Sequence, residues 1–268
     1  HSFPTRRSSD LNHLFTNDPS WLGQIRVKEH MNLYQYSKDF YRIQLFMLSI
    51  LAVVFLWLSR NQTLDFYLSD MWFDPVSNSF PLKDNYWIEL INHQLLKYLV
   101  ITIAAGCLIY GIFKRNAELI VTAILIGLGS ATVGLLKSWS SHSCPWDLVR
   151  YGGQAIEYPL LSATSSFPGS GQCFPGGHAS GGFSLMALFF LFFYRTPSRA
   201  FFYALGAVIL GIVMGYGQVV RGAHFFSHNL WSFWWVWLVQ LSIYWFVSTF
   251  QNQFTTMNVI RFLKEKRI

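Results

Sequence analysis

The chain has 268 residues, of which 52% are hydrophobic and only 12% charged, and its mean hydropathy is +0.30. Soluble domains carry about 25% charged residues, so the composition excludes an ordinary soluble protein and indicates an integral membrane protein. The formal net charge of +7 comes from cations in short connectors and near the C-terminus, not from a basic stripe, which argues against a nucleic-acid partner.

The first residues do not resemble part of a membrane domain. HSFPTRRSSDL, residues 1–11, has no hydrophobic targeting core and resembles translated sequencing-adapter sequence. We expect segment 1–30 as a whole to be non-native or disordered. Met31 is a candidate native start, since interfacial sequence and then an apolar run follow it. Residues 31–268 are expected to form a single membrane domain.

Six apolar runs of roughly spanning length follow in chain order. They cover residues 43–59, 98–113, 119–136, 179–194, 201–216 and 230–250. Between the first two, segment 81–96 has Trp87, Ile88, Ile91 and Leu95 at helical spacing, which predicts an amphipathic helix lying at the outer membrane interface. The sequence therefore predicts an all-α, six-helix membrane bundle with one additional interfacial helix.

Basic residues concentrate in the short turns and acidic residues in the long connectors. Turns 114–118 and 194–200 and the C-terminal tail contain Lys and Arg, whereas connectors 60–97 and 137–178 contain most of the Asp and Glu. Because cations are enriched on the cytoplasmic side, we expect both termini to be cytoplasmic and the long connectors to lie outside. In a bacterial inner membrane the outer face is the periplasm.

Two polar stretches flank the third and fourth runs on that outer side. KSWSSHSCPWD (137–147) begins with Lys137, which at that depth either snorkels to the surface or meets an anion. CFPGGHASGG (173–182) contains Gly176 and Gly177, which free the backbone, and a helix start that offers unpaired N–H groups. His178 is then a proton donor beside an anion site. The alternative is a plain glycine turn capped by Ser180.

The third polar stretch, QVVRGAHFFSHNLW (218–231), leads into the sixth run. If it is helical, Arg221, His224 and His228 fall within an arc of about 60°. A permanent cation and two imidazoles on one face suit an anion held beside a nucleophile, although a polar helix end fits the same residues. The i, i+4 spacing of the two histidines is also that of zinc ligands, so a metal-binding membrane enzyme or transporter is an alternative.

Together the three stretches resemble the motifs of the type 2 phosphatidic acid phosphatases, a membrane phosphatase superfamily that shares its core with vanadium haloperoxidases. That family has K-x6-R-P, P-S-G-H and S-R-x5-H-x3-D. This chain has KSWSSHSCP (137–145), PGGH (175–178) and GQVVRGAHFFSH (217–228). Order, spacing and placement agree, and the resemblance covers about residues 98–250.

The resemblance implies a role for each matching residue. Lys137 and the amides of Gly176 and Gly177 hold phosphate oxygens, and His178 protonates the leaving alkoxide. His224 is the nucleophile that forms a phosphohistidine, and a cationic cradle of this kind needs no metal or other cofactor. The implied substrate is a lipid phosphate monoester or diphosphate in the bilayer, with several lipids equally suitable. Nothing in the sequence indicates the oligomeric state.

The chain departs from the family motifs in four places. Cys144 stands in place of the Arg of the first motif, and Gly176 in place of the Ser of P-S-G-H. In the third motif Gln218, preceded by Gly217, stands in place of Ser-Arg, and His228 in place of the Asp that orients the nucleophile. We expect Arg221 to replace a missing guanidinium from the same helical face, and either Asp147 or a pair of histidines to replace the carboxylate. Two other interpretations stay open, His228 as the nucleophile and a degenerate, non-catalytic family member.

Cysteine usage gives one structural expectation. Cys144 and Cys173 both lie on the outer side, each beside a motif. In an oxidising periplasm they can form a disulfide that joins the first motif to the second, with two free thiols as the alternative. Cys107 lies inside an apolar run and is expected to pack there.

Overall fold

A computed structural model describes residues 33–160, 162, 167 and 169–265, with the side chains of 252–265 excepted. Segment 1–30 and the basic side chains of the C-terminal tail lie outside that description, so the expectations for them stay expectations. Everything below concerns the described residues.

Seven helices make up most of the described structure, and no strand occurs in the described ranges. They are α1 (Lys38–Asn61), α2 (Thr63–Asp70), α3 (Tyr86–Lys114), α4 (Ala117–Ser138), α5 (Gly177–Phe192), α6 (Pro197–Val220) and α7 (Phe226–Glu265). Five of them, α1, α3, α4, α6 and α7, are long and apolar enough to cross a membrane, and α5 is a shorter apolar helix. The predicted all-α membrane bundle is confirmed, with five full-length crossings and one short one.

Local signals in the sequence explain where several helices begin and end. Ser37 caps α1, since its hydroxyl accepts a hydrogen bond from the amide of Phe40. Arg115 ends α3 in the left-handed conformation, and the Asn116 side chain then caps α4 by accepting from the amide of Leu119. This two-residue turn makes α3 and α4 antiparallel neighbours.

Segment 81–96, expected as a separate interfacial helix, is instead largely the first part of α3. It has no Gly or Pro after Pro81 to stop the helix, and a π-helical stretch, Glu89–Leu95, continues directly into the apolar part. Its apolar face is exposed, as expected from the sequence. Its polar face lies against the bundle, where Asn92 is buried and donates to the carbonyl of Val213.

The short helix α5 lies at the centre, packed against α4, α6 and α7, and Ala179, Phe183 and Met186 are buried there. At about 1.5 Å per residue its 16 residues (177 to 192) rise roughly 24 Å, less than the roughly 30 Å of a bilayer core. A short turn, 193–196, joins its far end to α6, so the missing length falls at the end that carries His178. That end is therefore recessed within the bundle.

Connector 62–85 and the described part of connector 139–176 (139–160, 162, 167 and 169–176) fold together over this recess and are called the connector layer below. Their apolar residues form a second cluster with the turn before α7. Arg150 forms an ion pair with Asp70 at 2.7 Å, and the Tyr151 hydroxyl donates to the same carboxylate at 2.8 Å. The two connectors are thus fastened to each other as well as to the helices.

The start of α7 is fixed by Asp65 of α2. Its buried carboxylate accepts hydrogen bonds from the Ser227 amide at 2.8 Å and from the Ser227 hydroxyl. An anion at a helix N-terminus pairs with the exposed amides of the first turn. Burial raises the pKa of Asp65 to about 6, against the effect of the Ser227 hydrogen bonds. The first turn of α7, which contains His228, is thereby held in place.

Candidate active site

The stretch from Gln218 to Trp231 is not a continuous helix, so the expected common arc of Arg221, His224 and His228 is wrong. α6 ends at Val220 and α7 begins at Phe226. Between them Gly222 has φ +72°, a left-handed conformation that favours glycine, and a Cβ there would lie 2.4 Å from the Phe80 ring. Because the chain turns at this glycine, the residues on either side of it point to different partners.

His224 is buried, with 2% of its surface exposed, and its Nδ1 lies 2.8 Å from the carbonyl oxygen of Cys173. A carbonyl only accepts, so Nδ1 carries the hydrogen and Nε2 keeps its lone pair in the neutral ring. Burial lowers the pKa of His224 well below its ordinary value, and the nearby His228 lowers it further. His224 is therefore a neutral imidazole with an unprotonated Nε2, as a nucleophile requires.

The same carbonyl also orients His228. Its Nδ1 lies 2.9 Å from the Cys173 oxygen, and its ring contacts Phe174 and Phe225. The ring borders a narrow cavity of about 30 Å³ together with Asp65 and His142. His228 therefore stands on the side of Cys173 that faces the connector layer.

A larger cavity of about 360 Å³ opens between α3, α4 and α5, and it contains both Lys137 and His178. The His178 ring lies 6.1 Å from the His224 ring, measured between centroids. Its Nδ1 is buried and has no hydrogen-bond partner among the described residues. The structure thus brings Lys137, His178 and His224 together, and no described residue takes the hydrogen bond of this His178 nitrogen.

The start of α5 completes the cavity wall beside Lys137. A Cβ at Gly177 would lie 3.5 Å from Lys137 Cδ and 3.9 Å from its Nζ, so the lysine side chain runs alongside the first turn. Ser180 donates back to the Gly177 carbonyl and does not cap the helix. The first amides of α5 are consequently available beside a cation, which is an arrangement that suits an anion.

Gly176 does not have the phosphate-binding role that the family resemblance implies for its amide. Its amide donates to the carbonyl of His228 at 3.0 Å, so that N–H is not available to a phosphate oxygen. The reason for glycine here is space, since a Cβ would lie 2.3 Å from the Asn229 side-chain oxygen. Only from Gly177 onward can the amides at this helix start face a ligand.

Arg221 does not join the cavity residues. Its Nε donates to the carbonyl of Lys83 at 2.7 Å and its Nη1 to Glu89 at 2.5 Å. The expectation that it holds phosphate in place of a missing arginine is therefore wrong in this structure. The turn at Gly222 directs Arg221 to α3 and to the connector layer.

The two supporting residues suggested by the sequence also have other partners. Gln218 is buried and donates to the side chain of Asn92 at 3.2 Å. Asp147 accepts from the Ser170 hydroxyl and the Cys144 amide, so it does not replace the carboxylate that orients the nucleophile in the family motif. The Cys173 carbonyl occupies that position against His224.

Cys144 and Cys173 form a disulfide with Cα atoms 5.1 Å apart, so the two motif stretches are joined covalently. The Cys173 sulfur lies 3.2 Å from His224 Nδ1. Both the sulfur and the carbonyl of this residue thus contact the histidine. The Cys144 side chain, which stands where the family has an arginine, is used for the bridge and contributes no charge.

We expect Cys144→Ser to lower the free energy of unfolding by about 3 kcal/mol, because the disulfide joins two residues that are 29 positions apart in the sequence. Thermal unfolding in detergent, with and without a reductant, measures this difference. Cys107→Ser is the matched control, since Cys107 is a free, half-buried cysteine outside the site. Equal unfolding temperatures for Cys144→Ser and Cys107→Ser, both insensitive to reductant, contradict the expectation.

Sequence reasoning missed Glu89, His93 and Lys97 of α3. His93 and Lys97 border the large cavity, and the His93 ring lies 4.5 Å from that of His178. Glu89 forms a hydrogen bond with His93 Nδ1. The helical spacing of segment 81–96 could have indicated Glu89 and His93. Glu89, Asn92 and His93 are at positions i, i+3 and i+4, on the helix face opposite to the exposed Trp87.

A metal site built on His224 and His228 finds no support in the described geometry. Both rings direct Nδ1 to the Cys173 carbonyl. Among the described residues, the one group of three or more His, Cys, Asp or Glu side chains close enough to share an ion is Cys144, Cys173 and His224, and its two sulfur atoms are already joined. A thiolate pair for zinc is therefore not present in the oxidised protein.

The sequence matches the model of the PAP2 superfamily over residues 94–252, which is more than half of the chain. A search of curated proteins returned no match. Among solved structures, the chain is similar to one described as the first transmembrane PAP2 type phosphatidylglycerolphosphate phosphatase from Bacillus subtilis. The identity is 18% and the TM-score 0.44, with 77% of this chain and 96% of that chain covered.

Proposed function

Since this chain belongs to the PAP2 superfamily, we propose that it is a membrane phosphatase that hydrolyses a lipid phosphate monoester or diphosphate through a phosphohistidine on His224. The observation that carries the proposal is the meeting of Lys137, the start of α5 and His178 around one cavity of about 360 Å³, with the buried His224 ring 6.1 Å behind that of His178. A lone pair, a proton donor and a cation beside free amides are the groups that phosphoryl transfer needs.

In the first step His224 Nε2 attacks the phosphorus and the bond to the leaving oxygen breaks. His178 gives its proton to that oxygen, and Lys137 with the first amides of α5 stabilises the charge on the phosphoryl oxygens. The Cys173 carbonyl keeps the His224 ring oriented while Nε2 becomes bonded to phosphorus. In the second step a water attacks the phosphohistidine, His178 accepts its proton, and inorganic phosphate leaves.

The cavity position supports a substrate that enters from the bilayer. The lining residues come from α3, α4 and α5, and Val100 and Ile101 form part of the wall together with Lys97. A phosphate headgroup can therefore reach Lys137 while its hydrocarbon chain stays among apolar side chains. Phosphatidic acid, phosphatidylglycerol phosphate, polyprenyl diphosphate and lipid A phosphates all meet this requirement.

Phosphate release from a panel of these lipids by the purified protein in detergent tests the proposal. We expect release from at least one lipid, and we expect it to persist in EDTA because the charge stabilisation comes from side chains and amides. No release from any lipid by folded protein contradicts the proposal and favours a non-catalytic family member. Loss of activity in EDTA that zinc restores favours a metal-dependent enzyme instead.

We propose a bacterial inner membrane location with the active site on the periplasmic face and both termini cytoplasmic. Two features of the described residues support this orientation. The connector layer and the site lie at one end of the bundle, and the basic turns lie at the other end, as expected for a cytoplasmic side rich in cations. Cysteine labelling at the exposed positions Ser77 and Ser198, in a Cys107→Ser background, is expected to mark opposite sides of the membrane. Labelling of both from the same side contradicts this topology.

A further inference from the structure

The cavity has fewer cations than the family motifs provide. Cys144 stands in one arginine position and is part of the disulfide, and Gln218 stands in the other and is bonded to Asn92. Arg221 is engaged by Lys83 and Glu89. A phosphate dianion beside Lys137 would therefore meet a single motif cation unless another residue contributes charge. Lys97 also borders the cavity, but it is exposed and lies one helical turn beyond His93, which adjoins His178.

His93 of α3 stands where such a charge is needed. Its half-buried ring borders the cavity and lies 4.5 Å from the His178 ring, which in turn lies 6.1 Å from His224. Glu89 is hydrogen-bonded to His93 Nδ1, and since a carboxylate accepts, that nitrogen carries a hydrogen. Nε2 is then the ring atom that can take a second proton and donate to an anion.

Glu89 is itself held in place. Its second oxygen accepts from Arg221, whose Nε is fixed by the Lys83 carbonyl. The carboxylate thus joins an always-charged guanidinium to an imidazole, and it holds the His93 ring with its Nδ1–H directed at Glu89. All three side chains meet at the π-helical stretch Glu89–Leu95, a form of helix that is frequent at functional sites.

We propose that His93 is a further phosphate-binding residue of this cavity and that Glu89, held by Arg221, is its positioning residue. The inference rests on the proposed function for its substrate but concerns the binding of phosphate itself. His93 donates from Nε2 to a phosphoryl or leaving-group oxygen on the side of His178. It replaces, from α3, a positive charge that the motif positions 144 and 218 lack.

Binding of inorganic phosphate to the purified full chain in detergent, measured by calorimetry, tests the inference. His93→Ala is expected to weaken binding by at least about tenfold, which is the effect of losing one charge-assisted hydrogen bond. His93→Arg is expected to restore most of the affinity. Gln94→Ala, at the exposed neighbouring position on the same turn, is the matched control and is expected to bind as the unmodified chain does.

The role of Glu89 is tested in the same assay by a double variant. Glu89→Gln is expected to weaken phosphate binding in the chain with His93 but to have little further effect in the His93→Arg background. A merely structural Glu89 would lower affinity equally in both backgrounds, and that result overturns its positioning role.

The remaining outcomes separate this inference from the proposed function. Undiminished phosphate binding by folded His93→Ala, or a loss in His93→Arg as large as in His93→Ala, overturns the inference. So does the absence of phosphate binding by the unmodified chain. Phosphate binding that depends on His93, without phosphate release from any lipid, overturns the proposed function and leaves the inference standing.

Discussion

Replacing His224 by alanine is expected to abolish phosphate release from a lipid phosphate, with a loss of roughly 10⁴-fold or more. The reason is that Nε2 of this ring forms the bond to phosphorus, and no other described imidazole shares its position. His224 is buried, Nδ1-bonded to Cys173 and 6.1 Å from the His178 ring. Steady-state release of phosphate in detergent measures the effect.

His142→Ala is the matched control for this change. His142 is a half-buried histidine that stacks on Tyr158 beside the narrow cavity, away from Lys137. We expect it to keep activity within a few fold of the unmodified chain. If His224→Ala stays active and His228→Ala does not, His228 is the nucleophile and the alignment of the third motif must shift by four residues.

Replacing His178 by alanine is expected to slow the reaction by about 10²- to 10⁴-fold, most severely for esters with poor leaving groups. His178 supplies a proton to the leaving oxygen, and an alkoxide needs that proton more than a phenolate does. The unpartnered Nδ1 and the cavity position of the ring agree with a group that meets the substrate and not the protein.

Comparison of an alkyl and an aryl phosphate ester measures this dependence. In His178→Ala we expect hydrolysis of the aryl ester to slow much less than hydrolysis of the alkyl ester. In Lys137→Gln we expect both esters to be slowed by the same factor. Equal losses for both esters in His178→Ala would mean that the histidine holds the phosphate and does not protonate the leaving group.

The membrane helices could be predicted from the sequence because hydrophobic length is a local property. All six apolar runs correspond to helices, although their ends extend into polar residues and α5 is too short for a full crossing. Whether segment 81–96 forms a separate interfacial helix or the first part of a membrane helix could not be predicted from the sequence. Exposed Trp87 and Ile91 fit an interfacial helix and the outer turn of a span equally well.

The meeting of Lys137, His178 and His224 could also be anticipated, because motif order and spacing place all three on one face of one bundle. Arg221 could not be placed in this way. Extrapolating a helix across Gly222 put it with His224, whereas the left-handed turn at that glycine sends it to Glu89. A single residue with positive φ is enough to redirect a side chain that regular spacing would align.

The acceptor that orients His224 has no sequence signature at all. The family motif puts a carboxylate there, and this chain has His228 at that position. Asp147 was one expected replacement for that carboxylate, but the group that accepts the His224 hydrogen bond is the backbone carbonyl of Cys173. Every residue has a carbonyl, so only the folded arrangement, with the disulfide beside it, shows which one is used.

The most direct test of the account is trapping of a phosphoenzyme by a denaturing quench at alkaline pH, with a lipid substrate labelled in its phosphate. The predicted result is a base-stable, acid-labile phosphohistidine at residue 224 in the unmodified chain, and no label in His224→Ala. Rapid turnover without any trapped phosphoenzyme, or label on a residue other than His224, would contradict the account.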